Sequence, residues 1–340
     1  MGQGGQANQY ETRLSLRVDK VLVTGGQGMV GAAVCRALLT EGRQPVIADV
    51  HTDNTLIADV AHACIVEQAD IRDLDRLHAL ARLHSPVAIV HLAGLVGPEV
   101  ERDSARAIAV NLEGSVAVFE CARQAGIARV VLMSSKMVYG PALPSYQHPY
   151  YQPVPESHPR EPHKLYGKLK RAVEDIADHY GKAYGLDMVA LRCGATYGPG
   201  KFGRNDKVSP VMGLIEAAFH GRPFQVAVGA QQGDDLCYIA EVGNGIMAVL
   251  NAPARPGGLR CYNISSGLIT LGEVAQTLRE IFPSADLDVG PGLDYRGYGG
   301  LGYYFQLAID RAQQDLGFVV RYPFRVAVQD YCASLQRLYA

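Results

Sequence analysis

The chain has 340 residues, of which 48% are hydrophobic and 19% are charged, and its formal net charge is −2 at pH 7. This nearly neutral charge argues against a general electrostatic attraction to nucleic acid or to an anionic membrane, and neither is an expected partner. No apolar run approaches the roughly 18 residues of a membrane span. Length and hydrophobic content are sufficient for one large domain or two lobes with a substantial core.

The start of the chain, residues 1–17, is rich in glycine and glutamine and lacks a hydrophobic signal core. We therefore expect a disordered polar tail. The seven cysteines include no C-x-x-C pair, and reduced thiols in a cytoplasmic protein explain them most simply. Because no set of histidines and cysteines shows ligand spacing, no metal site is predicted.

The first predicted strand, KVLVT at 20–24, runs into a glycine-rich turn that is followed by a helical pattern over 32–42. In this context the G-x-G-x-x-G pattern of residues 26–31 predicts a dinucleotide site. Its glycines permit a tight turn, close approach of a pyrophosphate and close packing of helix on strand. The residues expected at this phosphate site are Gly25, Gly28, Met29, Val30 and Gly31.

A second predicted strand, 44–50, carries Asp49 close to the spacing of about 20 residues that is typical of the ribose-binding acid. A carboxylate there would accept hydrogen bonds from both ribose hydroxyls and repel a ribose phosphate, so NAD is predicted rather than NADP. A third strand ends near Asp70 and Ile71, beside the expected adenine. Asp70 either bonds the adenine amine or caps the next helix.

A helix is predicted over 74–84, and the strand that follows over 86–94 ends in residues that let a cofactor pass closely. The residues assigned to the cofactor site here are Leu92, Ala93 and Gly94. The long helix predicted over 103–126 contains Asn111 within an apolar stretch. Asn111, also assigned to the cofactor site, is either satisfied internally or supports the site through backbone or water contacts.

The strand predicted over 128–135 ends in two serines at the edge where a parallel sheet presents its ligands. Ser135 would bind a substrate oxygen, and Ser134 and Lys136 are the competing assignments. Ser135 lacks a G-x-S-x-G context, which argues against hydrolysis.

The helix predicted over 165–185 places Tyr166 and Lys170, four residues apart, on one face. A tyrosine is a poor base because its reference pKa is about 10. A neighbouring ammonium group and the positive nicotinamide ring would both stabilise the phenolate. Tyr166 could then remove a hydroxyl proton as a hydride leaves for NAD.

Strands and helices alternate as far as Gly200, which predicts an α/β fold, a Rossmann-like doubly wound parallel sheet, as the NAD-binding domain of residues 18–200. Residues 201–340 show a mixed pattern and are expected to form a smaller mixed α/β substrate lobe. Part of this segment, 232–266, is expected to return to the first domain. The cleft between the lobes is the predicted substrate site.

Five motifs together resemble the extended short-chain dehydrogenase/reductase family, and more closely its NAD-dependent epimerase/dehydratase branch. They are TGGQGMVG at 24–31, HLAG at 91–94, SSKMVYG at 134–140, YGKLK at 166–170 and LRCGATYGPG at 191–200. The resemblance covers nearly the whole chain from about residue 18. It implies that Ser135 is the hydroxyl residue, that Tyr166 is the acid/base and that Lys170 contacts the cofactor ribose. It also implies a homodimer through a four-helix bundle of the helices near 103–125 and 165–184.

Two departures from nucleotide-sugar members of the family concern the substrate. Asp234 stands where an arginine usually meets the substrate diphosphate, and a carboxylate there would repel that group unless Arg204, Lys207 or Arg296 compensates. At 193–195 the chain reads Cys-Gly-Ala, where an asparagine often contacts the phosphate. The residues predicted to bind substrate are Ser135, Lys136, Ala195, Arg204 and Arg296.

The sequence predicts an enzyme that transfers a hydride between NAD and a secondary alcohol of a sugar-like small molecule, as nucleotide-sugar epimerases do. The alternatives are an NAD-dependent dehydrogenase of a non-nucleotide sugar, sugar acid or alcohol, and a non-catalytic NAD-binding module. A dehydratase is disfavoured because Lys136 and Met137, rather than an acidic pair, follow Ser135.

Overall fold

The computed structural model describes residues 18–200 and 210–339. Its strands are β1 (Lys20–Thr24), β2 (Gln44–Asp49), β3 (Ile65–Gln68), β4 (Ala88–His91), β5 (Arg129–Ser135), β6 (Asp187–Cys193), β7 (Ala195–Tyr197), β8 (Phe224–Val226), β9 (Gly233–Tyr238), β10 (Gly258–Ile264), β11 (Gly267–Thr270) and β12 (Leu287–Val289). Its α-helices are α1 (Met29–Thr40), α2 (Leu74–His84), α3 (Pro98–Arg102), α4 (Ser104–Ile108), α5 (Gly114–Ala125), α6 (Leu165–Tyr184), α7 (Pro210–His220), α8 (Ile239–Asn251), α9 (Leu271–Ile281), α10 (Asp310–Leu316) and α11 (Phe324–Tyr339).

A seven-stranded parallel sheet in the order β3-β2-β1-β4-β5-β6-β10 forms the centre of the fold. Its first six strands have the Rossmann order, which reverses direction between β1 and β4. The predicted fold class, a Rossmann-like doubly wound sheet, is therefore confirmed. Ligands of such sheets bind outside the carboxyl ends of the strands at this reversal.

Apolar side chains cover both faces of the sheet because its strands are nearly continuous apolar runs. Leu22 and Val130 pack toward α2, α5 and α6. Their neighbours along the same strands, Val21 and Val131, pack toward α1 and α8 on the other face. This alternation follows from the two-residue period of a strand, and it fixes the register of the central strands.

The chain after residue 200 contributes both to the parallel sheet and to the smaller sheets outside it. β10 pairs with β6 at the edge of the parallel sheet, and α8 packs on α1. The remaining strands form a sheet in the order β11-β9-β7 and a separate pair, β12-β8, and a second core unites α7, α9 and α11. The predicted domain boundaries stay a prediction, and the predicted tail and the charged loop at 201–207 lie outside the described residues.

Several short elements were not predicted, because three to five residues carry too little periodicity to be recognised. They are α3, β11 and β12. The strand predicted over 187–200 is divided at Gly194, where a Cβ would lie 2.0 Å from an Asp235 carboxylate oxygen. The long helix contains a π-helical turn, Ala109–Glu113, between α4 and α5. In the part of the chain that the structure describes, no helix has the length and apolar character needed to cross a membrane.

Candidate active site

The turn between β1 and α1 leaves no room for side chains at two of its glycines. A Cβ on Gly25 would lie 2.8 Å from Ala93 N, and one on Gly31 would lie 2.3 Å from Gly25 O. Gly25 also has φ of +72°, in the left-handed region that favours glycine. Gly28 is the N-cap of α1, and neither a capping side chain nor an acidic residue occupies the first turn. The N–H groups at this helix start are therefore available to anionic oxygens.

Buried hydrogen bonds hold the ends of β1 and β4 in place beneath this turn. Thr24 Oγ1 lies 2.8 Å from His91 Nδ1, and His91 Nε2 lies 3.0 Å from Ser115 Oγ. Because Ser115 Oγ donates to Asn111 O at 2.6 Å, it accepts from His91 Nε2, and His91 Nδ1 accepts from Thr24. Burial, with a smaller effect of the Lys170 charge, lowers the pKa of His91 to about 3. The imidazole is therefore a neutral structural link.

Asn111 is satisfied internally. Its Oδ1 accepts from Leu95 N at 2.7 Å, and its Nδ2 donates to Leu95 O at 2.9 Å. A Cβ on the neighbouring Gly94 would come within 3.1 Å of Oδ1. The amide thus shapes the loop after β4 through the backbone, which is one of the roles left open by the sequence.

Asp49 lies at the end of β2 beside the glycine turn. Its carboxylate accepts from Gln27 N and His51 N, each at 3.2 Å. Both bonds orient the carboxylate at the point where a Rossmann sheet receives an adenosine ribose. They leave acceptor capacity, since an ionised carboxylate has about four lone-pair sites.

Asp70 is bound by its neighbour Arg72, whose side chain and backbone N–H, the latter at 2.9 Å, donate to the carboxylate. The Arg72 side-chain bond holds the pKa of Asp70 below its usual value. The helix-cap alternative for Asp70 is wrong, because Asp73 caps α2 by accepting from the N–H of Arg76. Ile71 is buried against the Gly114 position of α5.

A cavity of about 380 Å³ brings most of the predicted site together. Its lining includes the predicted residues Gly25, Gly28, Met29, Val30, Gly31, Leu92, Gly94, Ser135, Lys136, Tyr166, Lys170, Ala195 and Arg296. Five predicted residues lie outside this lining, namely Asp49, Asp70, Ile71, Ala93 and Asn111. Arg204 and Lys207 lie outside the described residues.

Both serines at the end of β5 contribute to the cavity lining, but the Ser134 hydroxyl is bonded to α6, which leaves Ser135 as the better candidate to meet a substrate. Ser134 is 1% exposed, and its hydroxyl donates to Glu174 at 2.6 Å on the side of α6. Ser135 lines the cavity. The two-residue period of the strand separates the two hydroxyls, and this geometry favours the assignment of Ser135.

Tyr166 and Lys170 lie on the face of α6 that borders the same cavity. Burial raises the pKa of Tyr166 to about 12, although a hydrogen bond with Ser135 acts in the opposite direction. Lys170 Nζ donates to Met133 O at 2.7 Å and lies 5.8 Å from the centre of the Tyr166 ring. Burial lowers the pKa of Lys170 to about 8. Its cationic form is thus present at neutral pH and is close enough to favour the phenolate.

Gly167 explains how α6 approaches the end of β5 so closely. A Cβ at this position would lie 2.4 Å from Met137 O and 2.8 Å from a Pro162 side-chain carbon. Any larger residue would push the helix away from the turn after Ser135. The glycine in the YGKLK motif therefore helps to bring Tyr166 to Ser135.

The charge of Asp234 is offset by two cations. Lys136 Nζ donates to one carboxylate oxygen, and Arg296 Nη2 lies 3.1 Å from the other. The Tyr295 hydroxyl also donates to that second oxygen at 3.1 Å. Burial alone would raise the pKa of Asp234, but Lys136 and Arg296 hold it below its usual value. The expected unscreened repulsion of a diphosphate therefore does not follow from Asp234 alone.

Sequence reasoning missed an aromatic cluster in the lining of the cavity. Tyr298 and Tyr303 line the cavity, and Lys164 Nζ lies 4.0 Å and 4.9 Å from the centres of their rings. Asp294 shapes the loop by accepting from the N–H groups of Tyr298 and Gly299, each at 2.9 Å. The glycines and tyrosines of 283–305 were a visible signal, but this composition has no period that assigns them to a pocket.

Comparison with known proteins places the chain in a family. The model of the NAD dependent epimerase/dehydratase family matches residues 21–265, a segment that contains the glycine turn, Ser135, Tyr166 and Lys170. This chain belongs to the NAD dependent epimerase/dehydratase family. The predicted family, an enzyme of this type and NAD as its cofactor are thereby confirmed.

Two relatives and one solved structure show how similar the chain is to other proteins. UDP-glucose 4-epimerase of Rhizobium meliloti is 34% identical over 176 residues. The match covers 51% of this chain and 51% of that relative, so it spans about half the length of each. UDP-glucose 4-epimerase of Mus musculus is 28% identical over 290 residues, covering 74% of this chain and 78% of that protein. The crystal structure of UDP-glucose 4-epimerase with UDP-glucose from Thermotoga maritima has a TM-score of 0.80 at 20% identity, covering 94% of this chain and 100% of that chain. At this identity the structural likeness shows the fold alone.

The residues of this family member fit NAD. The glycine turn offers helix N–H groups and no side-chain bulk to a pyrophosphate. Asp49 is anchored to this turn through Gln27 N. The cavity continues from the turn to Ser135 and Tyr166, so one extended ligand can contact the turn and both of these residues.

Proposed function

We propose that this protein is an NAD-dependent sugar epimerase that moves a hydride between the cofactor and a secondary alcohol of a nucleotide-sugar substrate. One observation carries the proposal, the shared cavity in which Ser135, Tyr166 and Lys170 face the glycine turn of the cofactor site. The named activity of the relatives, UDP-glucose 4-epimerase, supports a nucleotide sugar as the substrate.

In this proposal Tyr166 takes the proton of the substrate hydroxyl while Ser135 holds its oxygen by a hydrogen bond. NAD, when bound, would accept the hydride that leaves the same carbon, so that the alcohol would become a ketone. Lys170 stabilises the phenolate by its charge and contacts the cofactor ribose. In an epimerase the hydride returns to the opposite face of the ketone and Tyr166 gives the proton back. The product is then a stereoisomer, without net oxidation.

The cofactor contacts are part of the proposal. Asp49 accepts hydrogen bonds from the adenosine ribose, and the start of α1 binds the pyrophosphate. Asp70 and Ile71 lie beside the adenine, and residues 92–94 lie along the middle of the cofactor. Asn111 acts on this loop through the backbone of Leu95.

A dehydrogenase of a non-nucleotide sugar, sugar acid or alcohol is the second candidate. Asp234, in place of the arginine that nucleotide-sugar members of the family usually have, favours it, although Lys136 and Arg296 offset the charge of this carboxylate. A dehydrogenase would release NADH with an oxidised product, whereas an epimerase would not.

The homodimer and the cytoplasmic location also belong to the proposal. Ile108 and Tyr184 lie on the helices expected to pair and are 39% and 49% exposed, so they are accessible to an interface there. All seven cysteines are free thiols, which supports a reducing compartment.

The test follows NADH absorbance while purified protein and NAD meet nucleotide sugars, free sugars, sugar acids and alcohols, and the products are then separated. We expect a new stereoisomer of a nucleotide sugar without accumulated NADH. Accumulated NADH with an oxidised product would select the dehydrogenase instead. Tyr166→Phe removes the proton acceptor, so it should abolish turnover and spare NAD binding, and full activity in this variant would refute the assignment.

A further inference from the structure

Lys136 occupies an unusual position for a lysine. It directly follows Ser135, lines the cavity with Tyr166, and is only 5% exposed. Its ammonium group donates to Asp234 and lies 5.0 Å from the centre of the Phe305 ring. Lysine is almost never fully buried unless it is paired. An ammonium has three N–H donors, and among residues 18–200 and 210–339 only Asp234 accepts from this one, which leaves capacity for a ligand.

The charges around the cavity have a positive excess. Among the described residues that line it, the cations are Lys136, Lys170 and Arg296, and the carboxylate is Asp234. A second acid, Asp235, lies behind Asp234 and accepts from Leu307 N at 2.7 Å. Burial raises the pKa of Asp235 to about 7, so this group carries only part of its charge at neutral pH. Bound NAD would place its pyrophosphate at the glycine turn, and its positive nicotinamide ring would lie nearer Tyr166, so an anionic substrate group beside Lys136 would balance the local positive charge.

We propose that Lys136 binds a carboxylate of the substrate close to the alcohol that is oxidised, and that it thereby selects sugar acids over the matching neutral sugars. This inference rests on the proposed function, because it takes Ser135 and Tyr166 as the groups that hold the reacting oxygen. Lys136 lines the same cavity as Ser135 and Tyr166 and follows Ser135 in the chain, and on this ground the proposal places the anion that it meets at the reacting end of the substrate. The diphosphate of a 4-epimerase substrate lies across the sugar ring from that end.

Asp234 has a positioning role in this arrangement. One of its oxygens holds the Lys136 ammonium, and the other is bound by Arg296 and Tyr295. The carboxylate therefore fixes Lys136 without leaving an unpaired negative charge in the cavity. If the pair were only structural, loss of either partner would have the same effect on all substrates.

The experiment compares kcat/KM of the full chain with NAD for two pairs of substrates, UDP-glucuronate with UDP-glucose and free glucuronate with glucose. Within each pair, the first compound has a carboxylate where the second has a CH₂OH group. We expect wild type to prefer the carboxylate member of the pair it accepts by about tenfold or more, as a charge-assisted hydrogen bond predicts. Lys136→Met should reduce this ratio to within about threefold of one, and Lys136→Arg should restore part of it.

Two further variants control for charge and for folding. Lys164→Met removes a cation that stacks on Tyr298 and Tyr303, and it should leave the carboxylate-to-neutral ratio within about twofold of wild type. Asp234→Asn should keep or raise the ratio, because it removes a negative charge beside Lys136. A wild-type ratio at or below one overturns the inference whether or not any variant folds. A carboxylate-to-neutral ratio in Lys136→Met that stays at the wild-type value, with both substrates slowed equally, also overturns the inference, since the Lys136–Asp234 pair would then be only structural.

A binding measurement separates failure of this inference from failure of the proposed function. The four compounds are titrated calorimetrically into the NAD complexes of Tyr166→Phe and of Tyr166→Phe/Lys136→Met. Preferential binding of carboxylates that depends on Lys136, without turnover by wild type, would support the inference and refute the proposed reaction. Turnover of a neutral sugar, with the same carboxylate-to-neutral ratio in wild type and Lys136→Met, would support the proposed reaction and refute the inference. Absence of binding by all four compounds would overturn the inference.

Discussion

Replacement of two glycines of the same turn by alanine should separate ligand contact from packing. A Cβ on Gly31 would lie 2.3 Å from Gly25 O and 2.5 Å from Gly26 Cα, whereas one on Gly28 would meet only Gly25 O at 3.3 Å. The Gly28 backbone has φ −76° and ψ 170°, which alanine adopts readily. We therefore expect Gly31 to be required for packing of the turn, and Gly28 to be required for binding of the ligand.

The magnitudes follow from these distances. Gly31→Ala must displace backbone atoms by roughly 1 Å, and overpacking of this kind costs about 1–3 kcal/mol of the free energy of unfolding, or more. Gly28→Ala changes only an N-cap residue and should cost at most about 1 kcal/mol. Its Cβ enters the cavity where the pyrophosphate is proposed to bind, so its NAD affinity should fall at least about tenfold, which is 1.4 kcal/mol.

Urea unfolding without cofactor and calorimetric titration with NAD measure the two effects separately. Gly28→Ala should retain nearly wild-type stability and lose affinity, while Gly31→Ala should lose both. Wild-type NAD affinity in Gly28→Ala would refute the placement of the pyrophosphate at the start of α1. Wild-type stability in Gly31→Ala would refute the close packing of helix on strand.

Three further outcomes are expected. Asp49→Ala should reduce the preference for NAD over NADP by about tenfold or more in binding titrations, because it removes charge-assisted bonds to the ribose, and an unchanged preference would exclude this role. Asn111→Ala leaves Leu95 N and O without their partners. It should lower the free energy of unfolding in urea by about 2–4 kcal/mol. A loss under about 0.5 kcal/mol, roughly one third of the 1.4 kcal/mol that corresponds to a tenfold change, would contradict the proposed role of Asn111 in holding the Leu95 loop. Burial lowers the pKa of Lys170 from 10.5 to about 8, so the unfolded chain holds this proton more tightly and stability should rise with pH between these values. Lys170→Met should flatten this rise in pH-dependent unfolding, and identical slopes for the two proteins would refute the shift.

Local patterns in the sequence were sufficient to propose much of the candidate cofactor site. The glycine turn and Asp49 follow from a strand, a turn and a helix that are adjacent in the chain. Tyr166 and Lys170 follow from the helical period, which places residues four apart on one face. The strand period also shows that Ser134 and Ser135 face opposite sides, but it does not show which side carries the cofactor. That choice required Glu174 of α6, which lies 40 residues further along the chain.

Contacts between distant parts of the chain were not predictable in this way. Asn111 meets Leu95 across 16 residues, and this partner decides that its amide shapes a loop. The tyrosines near residue 300 reach the cavity because Asp294 folds their loop back on itself. Glycine and tyrosine content alone does not encode such a turn, because many loop conformations are compatible with it.

Asp234 shows why a single departure from a family pattern is a weak guide to the substrate. Considered alone, it replaces a cation with an anion and argues against any anionic substrate. Its partners reverse this conclusion, because Lys136 lies 98 residues before it and Arg296 lies 62 residues after it, and both bond its carboxylate. Positive charge has thus not been lost from the cavity, and part of it now lies on the residue after Ser135. If Lys136 binds a substrate carboxylate as proposed, the departure at residue 234 changes which part of the substrate is recognised.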